Sequence, residues 1–231
     1  KMIDSLGVAH YSYPAVNIIR KKYLDNYKKD NFLMSKHVQK KILIKTKLTP
    51  EYLDIPEKKI FIKKRVYFMN KIFNFYKNCN YNVFIKPSDT HQGTGIIRIN
   101  QKLKKNNFIN KYFGIINENF KFSNNLYLEK AISGKLINLD FIKKKDGEVI
   151  FLPLIYRDKI NFHGKKKYLT FFEYLNNKNT IRKDHILKIE KIIKKQFNNI
   201  KTFGTIDFIK NKDKVKILEI SPHFHHVKIL K

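Results

Sequence analysis

The chain has 231 residues, of which 42% are hydrophobic, and this is enough apolar material for the core of one large domain or two small ones. It contains no apolar run of about 18 residues that could span a membrane, no apolar leader segment and a single cysteine, Cys79, so the composition favours a cytoplasmic protein and excludes an internal disulfide. The formal net charge of +30 comes mostly from lysine, spread along the chain with asparagine and isoleucine as in AT-rich genomes, which argues against a nucleic-acid-binding arm, a role that favours arginine.

Five segments have apolar residues at the helical spacing of three and four. The second of them follows Ser35, a residue type that caps helices, and ends before Thr49-Pro50. The last has the clearest apolar face, from Ile186 to Phe197. In chain order the predicted helices are AVNIIRKKYLDNYKKD, SKHVQKKILIKTK, RVYFMNKIFNFYKN, KLKKNNFINKYFGIINE and KDHILKIEKIIKKQFNNI.

Between the helices, β-branched and aromatic runs bounded by turn residues predict strands. The segment VFIKPSDTHQGTGIIRIN is interpreted as a strand, a glycine-containing loop and a second strand over residues 96–99. We expect NLYLEKAI, KLINLDFIKK and EVIFLPLIYR to pair as a meander, and TFGTIDFIKNKDKVKILEIS to form a hairpin. This order predicts an α+β fold with mostly antiparallel sheets in two halves, and a cleft between them near Asn125.

The glycine-containing loop suggests a phosphate site. Lys86 ends the first strand of that hairpin, and Gly93 and Gly95 lie in the loop that follows. Glycines allow backbone N–H groups to approach a bound anion closely, and a lysine beside them adds positive charge. An ordinary hairpin with a solvated lysine would contain the same residues, so this segment alone leaves both interpretations open.

Two acids, Asp207 and Glu219, lie in the terminal hairpin, each flanked by apolar residues. A turn near residues 212 and 213 would make them cross-strand partners, because 213 lies midway between them. Two carboxylates that face each other are destabilising unless a cation lies between them, and magnesium binds one or two carboxylates together with substrate phosphates. The alternative is that one acid pairs with a neighbouring lysine such as Lys210 or Lys216.

Taken in order, these segments resemble the ATP-grasp superfamily of carboxylate-amine and carboxylate-thiol ligases, which includes D-alanine ligases, biotin carboxylase and carbamoyl-phosphate synthase. The resemblance spans about residues 33–224 and rests on SKHVQKKIL…LTPEY, VFIKPSDTHQGTGI, LYLEKAISG, and GTIDFI with ILEISPH. It implies two α+β subdomains that enclose a nucleotide cleft. We assign residues 1–30 to the tail of a truncated N-terminal domain, 31–125 to the N-terminal subdomain with the glycine loop, and 126–231 to a truncated C-terminal subdomain with the metal-binding hairpin.

The resemblance implies nucleotide contacts in the first three motifs. Lys36 would be the first lysine to contact phosphate, although Ser35 stands where the family has aspartate. Lys86 would contact the α- and β-phosphates. The remaining implied contacts are the loop from Ser88 through Gly93 to Gly95 over the phosphates, and Glu129 with the backbone of Lys130 and Ile132 around adenine.

The fourth motif implies the metal site. Asp207, Glu219 and Ser221 would bind magnesium, or manganese in its place, with Ser221 where the family has asparagine. His223 stands where the family has an arginine that steadies phosphoryl oxygens, so the resemblance gives His223 a catalytic role.

Two further residues are candidates on the neighbouring strands. The acid that binds ribose in the family is replaced by Leu136, and Asp140, which shares a strand face with Asn138, is the candidate that remains. Arg157 follows an apolar strand and could bind a substrate carboxylate through a bidentate contact, or could simply lie on the surface.

The implied reaction is activation of a carboxylate by ATP as an acyl phosphate, followed by attack of an amine or other nucleophile. Lys36, Lys86 and magnesium would neutralise and align the phosphates, and the partners would be small-molecule carboxylate and amine substrates. A degenerate, non-catalytic binding module remains the alternative because Ser221 and His223 depart from the family pattern, and a basic nucleic-acid-binding protein is a third interpretation. The residues do not identify the carboxylate or the acceptor, and they leave a homo-oligomer open.

Overall fold

The computed structural model describes residues 35–88, 90, 94–162, 165–173, 181–198, 202–211 and 214–221, with only the backbone described at 156–162 and 165–173. These residues form two compact units, one over Ser35–Ile132 and the other over the described residues from Ser133 onward. Each unit contains one antiparallel sheet. The predicted N-terminal tail and the first predicted helix lie outside the described residues.

Helices and strands alternate in the first unit, whereas the second unit is mostly strand. The first unit contains α1 (Lys36–Leu43), a 3-10 helix (Ile44–Thr46), β1 (Tyr52–Ile55), α2 (Lys58–Lys63), α3 (Arg65–Asn78), β2 (Val83–Pro87), β3 (Ile97–Ile99), α4 (Lys105–Asn119) and β4 (Leu126–Lys130). The second contains β5 (Lys135–Lys143), β6 (Val149–Phe162), β7 (Lys165–Glu173), α5 (Lys183–Gln196), β8 (Thr202–Asn211) and β9 (Lys214–Ser221). The sequence patterns did not anticipate β1, α2 or β7.

The first sheet has the strand order β1-β4-β2-β3, and α3 and α4 contribute to the same hydrophobic core. The hairpin of β2 and β3 is confirmed, with Val83 opposite Ile99. The apolar stripe of α3 is confirmed at Met69, Ile72 and Tyr76, which are buried. Val66, three residues before Met69, is 72% exposed and does not contribute to this buried stripe.

The expected meander is wrong in its first strand. β4 pairs with β1 and β2, whereas β5 pairs with β6 and β8. The buried side chains of Leu126 and Leu128 join the core of the first unit, which explains this pairing. The first unit therefore extends to Ile132, one strand beyond the expected boundary at residue 125.

The second sheet has the strand order β7-β6-β5-β8-β9. Strands β5, β8 and β9 of this sheet share one apolar, buried face. The residues that pair on this face are Ile137 with Phe208, Leu139 with Ile206, Ile206 with Ile220, and Phe208 with Ile217. The predicted helix α5 is confirmed and buries Ile189, Ile192 and Ile193. None of the helices in the described part of the chain has the length and apolar content needed to cross a membrane.

Candidate functional site

A buried ion pair joins β2 and β4 in the first unit. Glu129 lies opposite Phe84, and Lys86 follows two residues later on the same face of the sheet. The Nζ of Lys86 donates a hydrogen bond to Oε1 of Glu129. The Glu129 side chain is 1% exposed and the Lys86 side chain 12% exposed, so Lys86 is the member of this pair that reaches solvent.

Lys40 on α1 adds a second cation to Glu129. Its fully buried ammonium group pairs with Oε2 of Glu129 and donates to Oγ1 of Thr49 at 2.9 Å. Burial by itself would raise the pKa of Glu129, but the ammonium groups of Lys40 and Lys86 hold that pKa below its ordinary value. We call Lys40, Lys86 and Glu129 the lysine-glutamate cluster, and it keeps the carboxylate ionised.

Sequence reasoning missed Lys40. The only available signal was its position three residues before Leu43, which places both on the buried side of α1. In a chain so rich in lysine, this spacing alone does not distinguish a buried lysine from a solvated one.

Ser88, at the start of the predicted phosphate loop, joins that loop to the beginning of α1. Its hydroxyl lies 3.1 Å from Oγ of Ser35 and accepts the backbone N–H of His37 at 3.1 Å, and its carbonyl accepts the N–H of Lys36 at 3.3 Å. The Nζ of Lys36 donates to the carbonyl of Thr90 at 3.0 Å. We call these contacts the Ser88 clasp. They give Ser88 and Lys36 a role in holding the loop, and their phosphate contacts stay predictions.

Gly95 is required by the far end of this loop. Its φ of +73° lies in the left-handed region, and a Cβ there would lie 2.7 Å from Cδ2 of Phe122 and 2.8 Å from Cγ of Pro87. Its carbonyl accepts a hydrogen bond from Nδ2 of Asn119 at 2.9 Å. The glycine therefore has a packing role, and its contact with phosphate, like that of Gly93 outside the described residues, stays a prediction.

The end of β4 carries the residues that were predicted to hold adenine. Because the Glu129 carboxylate is bonded to two lysines, an adenine contact at this position would have to come from its backbone. The backbone N–H of Lys130 donates to the carbonyl of Glu51 at 2.9 Å, and its Nζ lies 2.7 Å from Oε1 of the same residue. That side-chain hydrogen bond raises the pKa of Lys130. The predicted adenine contacts of Lys130 and Ile132 stay predictions.

The second unit brings together the predicted metal-binding acids. Asp207 on β8 is the direct partner of Glu219 on β9, and Asn138 on β5 is the partner of Asp207 from the other side. Two residues further along the strands lies a second row, in which Thr205 on β8 is flanked by Asp140 and Ser221. Since strand neighbours two apart share a face, six polar residues line one face of three strands. We call them the carboxylate patch: Asn138, Asp140, Thr205, Asp207, Glu219 and Ser221.

Each carboxylate of this patch accepts a hydrogen bond from a neutral side chain. Nδ2 of Asn138 donates to Oδ1 of Asp207 at 2.5 Å, and Oγ of Ser221 donates to Oε1 of Glu219 at 2.9 Å. Asp140, which was predicted to contact ribose, is fully buried and accepts the Thr205 hydroxyl. The patch therefore orients Asp207 and Glu219, and the hydroxyl of Ser221 acts on Glu219.

The donor types of the patch fit a hard divalent cation. Asp207 and Glu219 are half-buried carboxylates at directly paired positions, and magnesium binds one or two carboxylates while substrate phosphates supply further oxygens. Among the described residues, no group of three or more His, Cys, Asp or Glu side chains could hold a metal ion. The patch alone therefore does not supply a full set of such ligands, and further oxygens would have to come from the substrate. Magnesium binding at Asp207, Glu219 and Ser221 stays a prediction.

The packing of Gly204 fixes the strands that carry the patch. A Cβ at Gly204 would lie 2.6 Å from the carbonyl oxygen of Ser221 and 2.9 Å from Cε1 of Phe141. Only a residue without a side chain allows β8 to approach both neighbours this closely. The glycine of the GTIDFI segment thus allows the close approach of β8 and β9 beside the pair of Thr205 and Ser221.

Two predicted catalytic residues cannot be placed in either cluster. The backbone of Arg157 lies in β6 opposite Thr170, in the stretch where only the backbone is described. His223 lies outside the described residues. Their roles stay predictions.

The two antiparallel sheets with their helices form the ATP-grasp fold, as the solved structures show. D-alanyl-alanine synthetase A from Vibrio cholerae matches with a TM-score of 0.59 and 12% identity over 83% of this chain and 55% of its own. D-alanine–D-alanine ligase from Bacillus anthracis matches with a TM-score of 0.51 and 16% identity, over 83% and 57%. The biotin carboxylase domain of 2-oxoglutarate carboxylase from Hydrogenobacter thermophilus, in complex with MgADP and bicarbonate, matches with a TM-score of 0.59 and 20% identity, over 85% and 41%.

Residues 50–224 match the family described as the D-ala D-ala ligase C-terminus, and the chain belongs to this family. The match covers most of the chain and includes both the lysine-glutamate cluster residues Lys86 and Glu129 and the carboxylate patch. The chain spans little more than half the length of the D-alanine ligases that it resembles. At the level of sequence it matches none of the curated proteins.

Proposed function

We propose that this chain is the ATP-binding part of an ATP- and magnesium-dependent ligase that joins a carboxylate to an amine or another nucleophile. The observation that carries the proposal is that one chain of this family has Lys86 beside a glycine loop on one sheet and the directly paired Asp207 and Glu219 on the other. Binding of a nucleoside triphosphate with magnesium requires a cation that contacts the phosphates and carboxylates that bind the metal.

The first unit would bind the nucleotide. The ammonium group of Lys86 would contact the α- and β-phosphates and neutralise part of their charge. Lys36 and the loop from Ser88 to Gly95 would enclose the phosphates and exclude water. The adenine would lie against the backbone at the end of β4, from Glu129 through Lys130 to Ile132. The ribose contact of Asp140 would require its buried carboxylate to become accessible.

The second unit would hold the metal. Asp207 and Glu219 would bind magnesium through their oxygens, oriented by Asn138 and Ser221. Bound magnesium supplies neutralisation of phosphate charge and fixes the phosphate oxygens in place.

In the proposed reaction, a carboxylate oxygen attacks the γ-phosphorus of ATP, the bond to the β-phosphate oxygen breaks, and acyl phosphate and ADP result. A neutral amine then attacks the acyl carbon, inorganic phosphate leaves, and the amine loses a proton to give the amide. Arg157 would bind the substrate carboxylate and His223 the transferring phosphoryl group. The cellular compartment follows the expectation from composition, the cytoplasm.

The test is the melting temperature of the protein with ATP, with magnesium and with both. At 100 times its Kd, a nucleotide stabilises the native state by about 2.7 kcal/mol. We expect a rise that requires magnesium in the wild type and is lost in Asp207→Asn/Glu219→Gln. The matched control Asp146→Asn/Glu148→Gln, which removes two carboxylates from an exposed turn, should keep the rise. A folded wild type with no shift would contradict the ligase proposal and favour a degenerate binding module.

A further inference from the structure

The two lysines bonded to Glu129 differ in what they can do. Lys40 is fully buried and is also bonded to Thr49. Lys86 is 12% exposed and lies two residues before Ser88, where the loop begins. Its ammonium group can therefore leave Glu129 and bind an anion that arrives from solvent. Of the two cations, Lys86 is therefore the one that an incoming anion can reach.

Exchange of partners by Lys86 would be unfavourable if it were alone with Glu129. A carboxylate that is 1% exposed and loses its only cation becomes an uncompensated buried charge, which is strongly destabilising. With Lys40 in place, the carboxylate keeps one ion pair after Lys86 has moved. A second, sealed cation thus removes the main obstacle to the movement of the first.

We propose that Lys40 is a positioning residue that keeps Glu129 neutralised, so that Lys86 can leave this carboxylate for a phosphate oxygen of the nucleotide. The inference rests on the proposed function, since it assigns a new role within the same nucleotide site. Lys40 itself does not contact the nucleotide.

The ionisation of Glu129 agrees with this exchange. Burial would raise its pKa, yet Lys40 and then Lys86 hold the pKa below its ordinary value. The carboxylate is therefore already ionised at neutral pH when the nucleotide arrives. Departure of Lys86 therefore requires no change in the protonation of Glu129.

The test is calorimetric binding of ADP with magnesium to Lys40→Met. We expect the Kd to rise roughly 10- to 100-fold, because Lys86 is then retained by a carboxylate that has no other cation. Lys41→Met is the matched control, since Lys41 is the exposed neighbour on the same helix, and its Kd should stay within about threefold of wild type.

The second variant separates positioning from a structural role. In Lys40→Met/Glu129→Gln no buried carboxylate retains Lys86, so we expect most of the affinity lost in Lys40→Met to return, and to be lost again when Lys86→Met is added. Loss of packing at Lys40 would not be repaired by the change at Glu129. If Lys40→Met does not fold, the Kd of the double variant is compared with the Kd of wild type and with that of the variant that also carries Lys86→Met.

The outcomes distinguish the two proposals. A wild type that does not bind ADP with magnesium overturns the proposed function and this inference together. A wild type that binds, with unchanged affinity in Lys40→Met, overturns the inference alone. A folded Lys40→Met/Glu129→Gln that binds as weakly as the same variant with Lys86→Met added also overturns it, and recovery of affinity in the double variant supports it.

Discussion

The two sheets orient their carboxylates by different means. In the first unit, Glu129 is bonded to the ammonium groups of Lys40 and Lys86. In the second unit, each carboxylate of the patch accepts a hydrogen bond from a side-chain amide or hydroxyl, either on the adjacent strand or two residues away on the same strand. The first arrangement requires charge balance, and the second brings donors and acceptors together through strand pairing. We therefore test the first unit by removal of charge and the second by a change in backbone packing.

The largest effect is expected from Glu129→Gln. This change leaves the buried Lys40 without its carboxylate, and loss of one partner from a buried ion pair costs about 3–5 kcal/mol. The free energy of unfolding from urea titration is the measurement. Glu51→Gln breaks an exposed pair with Lys130 and should cost at most about 1 kcal/mol, so equal effects of the two changes would contradict the comparison.

The free energy of unfolding at acid pH should also depend on the Glu129 carboxylate, with a smaller effect. The folded-state pKa of Glu129 lies below its ordinary value of 4.5, so the unfolded state binds more protons near that pH. The contribution of this carboxylate is fully present above about pH 4.5 and is lost as the pH falls through the folded-state pKa. Urea titrations from pH 7 to 3 should show the difference between wild type and Glu129→Gln shrinking below that pH, and a constant difference would refute the assignment.

The smallest of these effects should come from Gly204→Ala in the second unit. A Cβ there lies 2.6 Å from a backbone carbonyl, which has little freedom to move, and such overpacking costs about 1–3 kcal/mol. Gly114→Ala, in the middle of α4 with no atom within 4 Å of the added Cβ, should instead stabilise the protein by up to about 1 kcal/mol. Melting temperatures that fall equally in both would show that packing at β8 and β9 has no special role.

The parts of the candidate site that sequence predicts are those set by local periodicity. Alternation along a strand and a turn near residues 212 and 213 predicted Asp207 opposite Glu219, and the structure confirms that pairing. The hairpin begins with Asn211 opposite Lys214, so an unbroken ladder would place residue 218 opposite Asp207, and a register shift between Asp207 and Phe208 brings Glu219 there instead. An apolar run that ends at a lysine before a glycine loop likewise places Lys86 at the end of β2. Both features require only neighbours within one hairpin.

The parts that sequence does not predict depend on distant segments. Lys40 is distinguished from other lysines only by the approach of Glu129, 89 residues later in the chain. The pairing of β4 with β1 and β2 similarly depends on which core accepts Leu126 and Leu128, which no local pattern specifies. The donors Asn138 and Thr205 acquire their partners only through the pairing of β5 with β8.

The Ser88 clasp has a consequence for the order of folding. It joins the beginning of α1 to residues 51 to 54 positions later, so this end of the helix gains its tertiary partners only after β2 has been synthesised and placed. During synthesis an eight-residue helix of this kind is too short to persist by itself in water, as isolated helices of fewer than about 12–15 residues are marginal. Helix α1 and Ser88 should therefore gain these contacts in a single late step, as contacts of high sequence separation generally do.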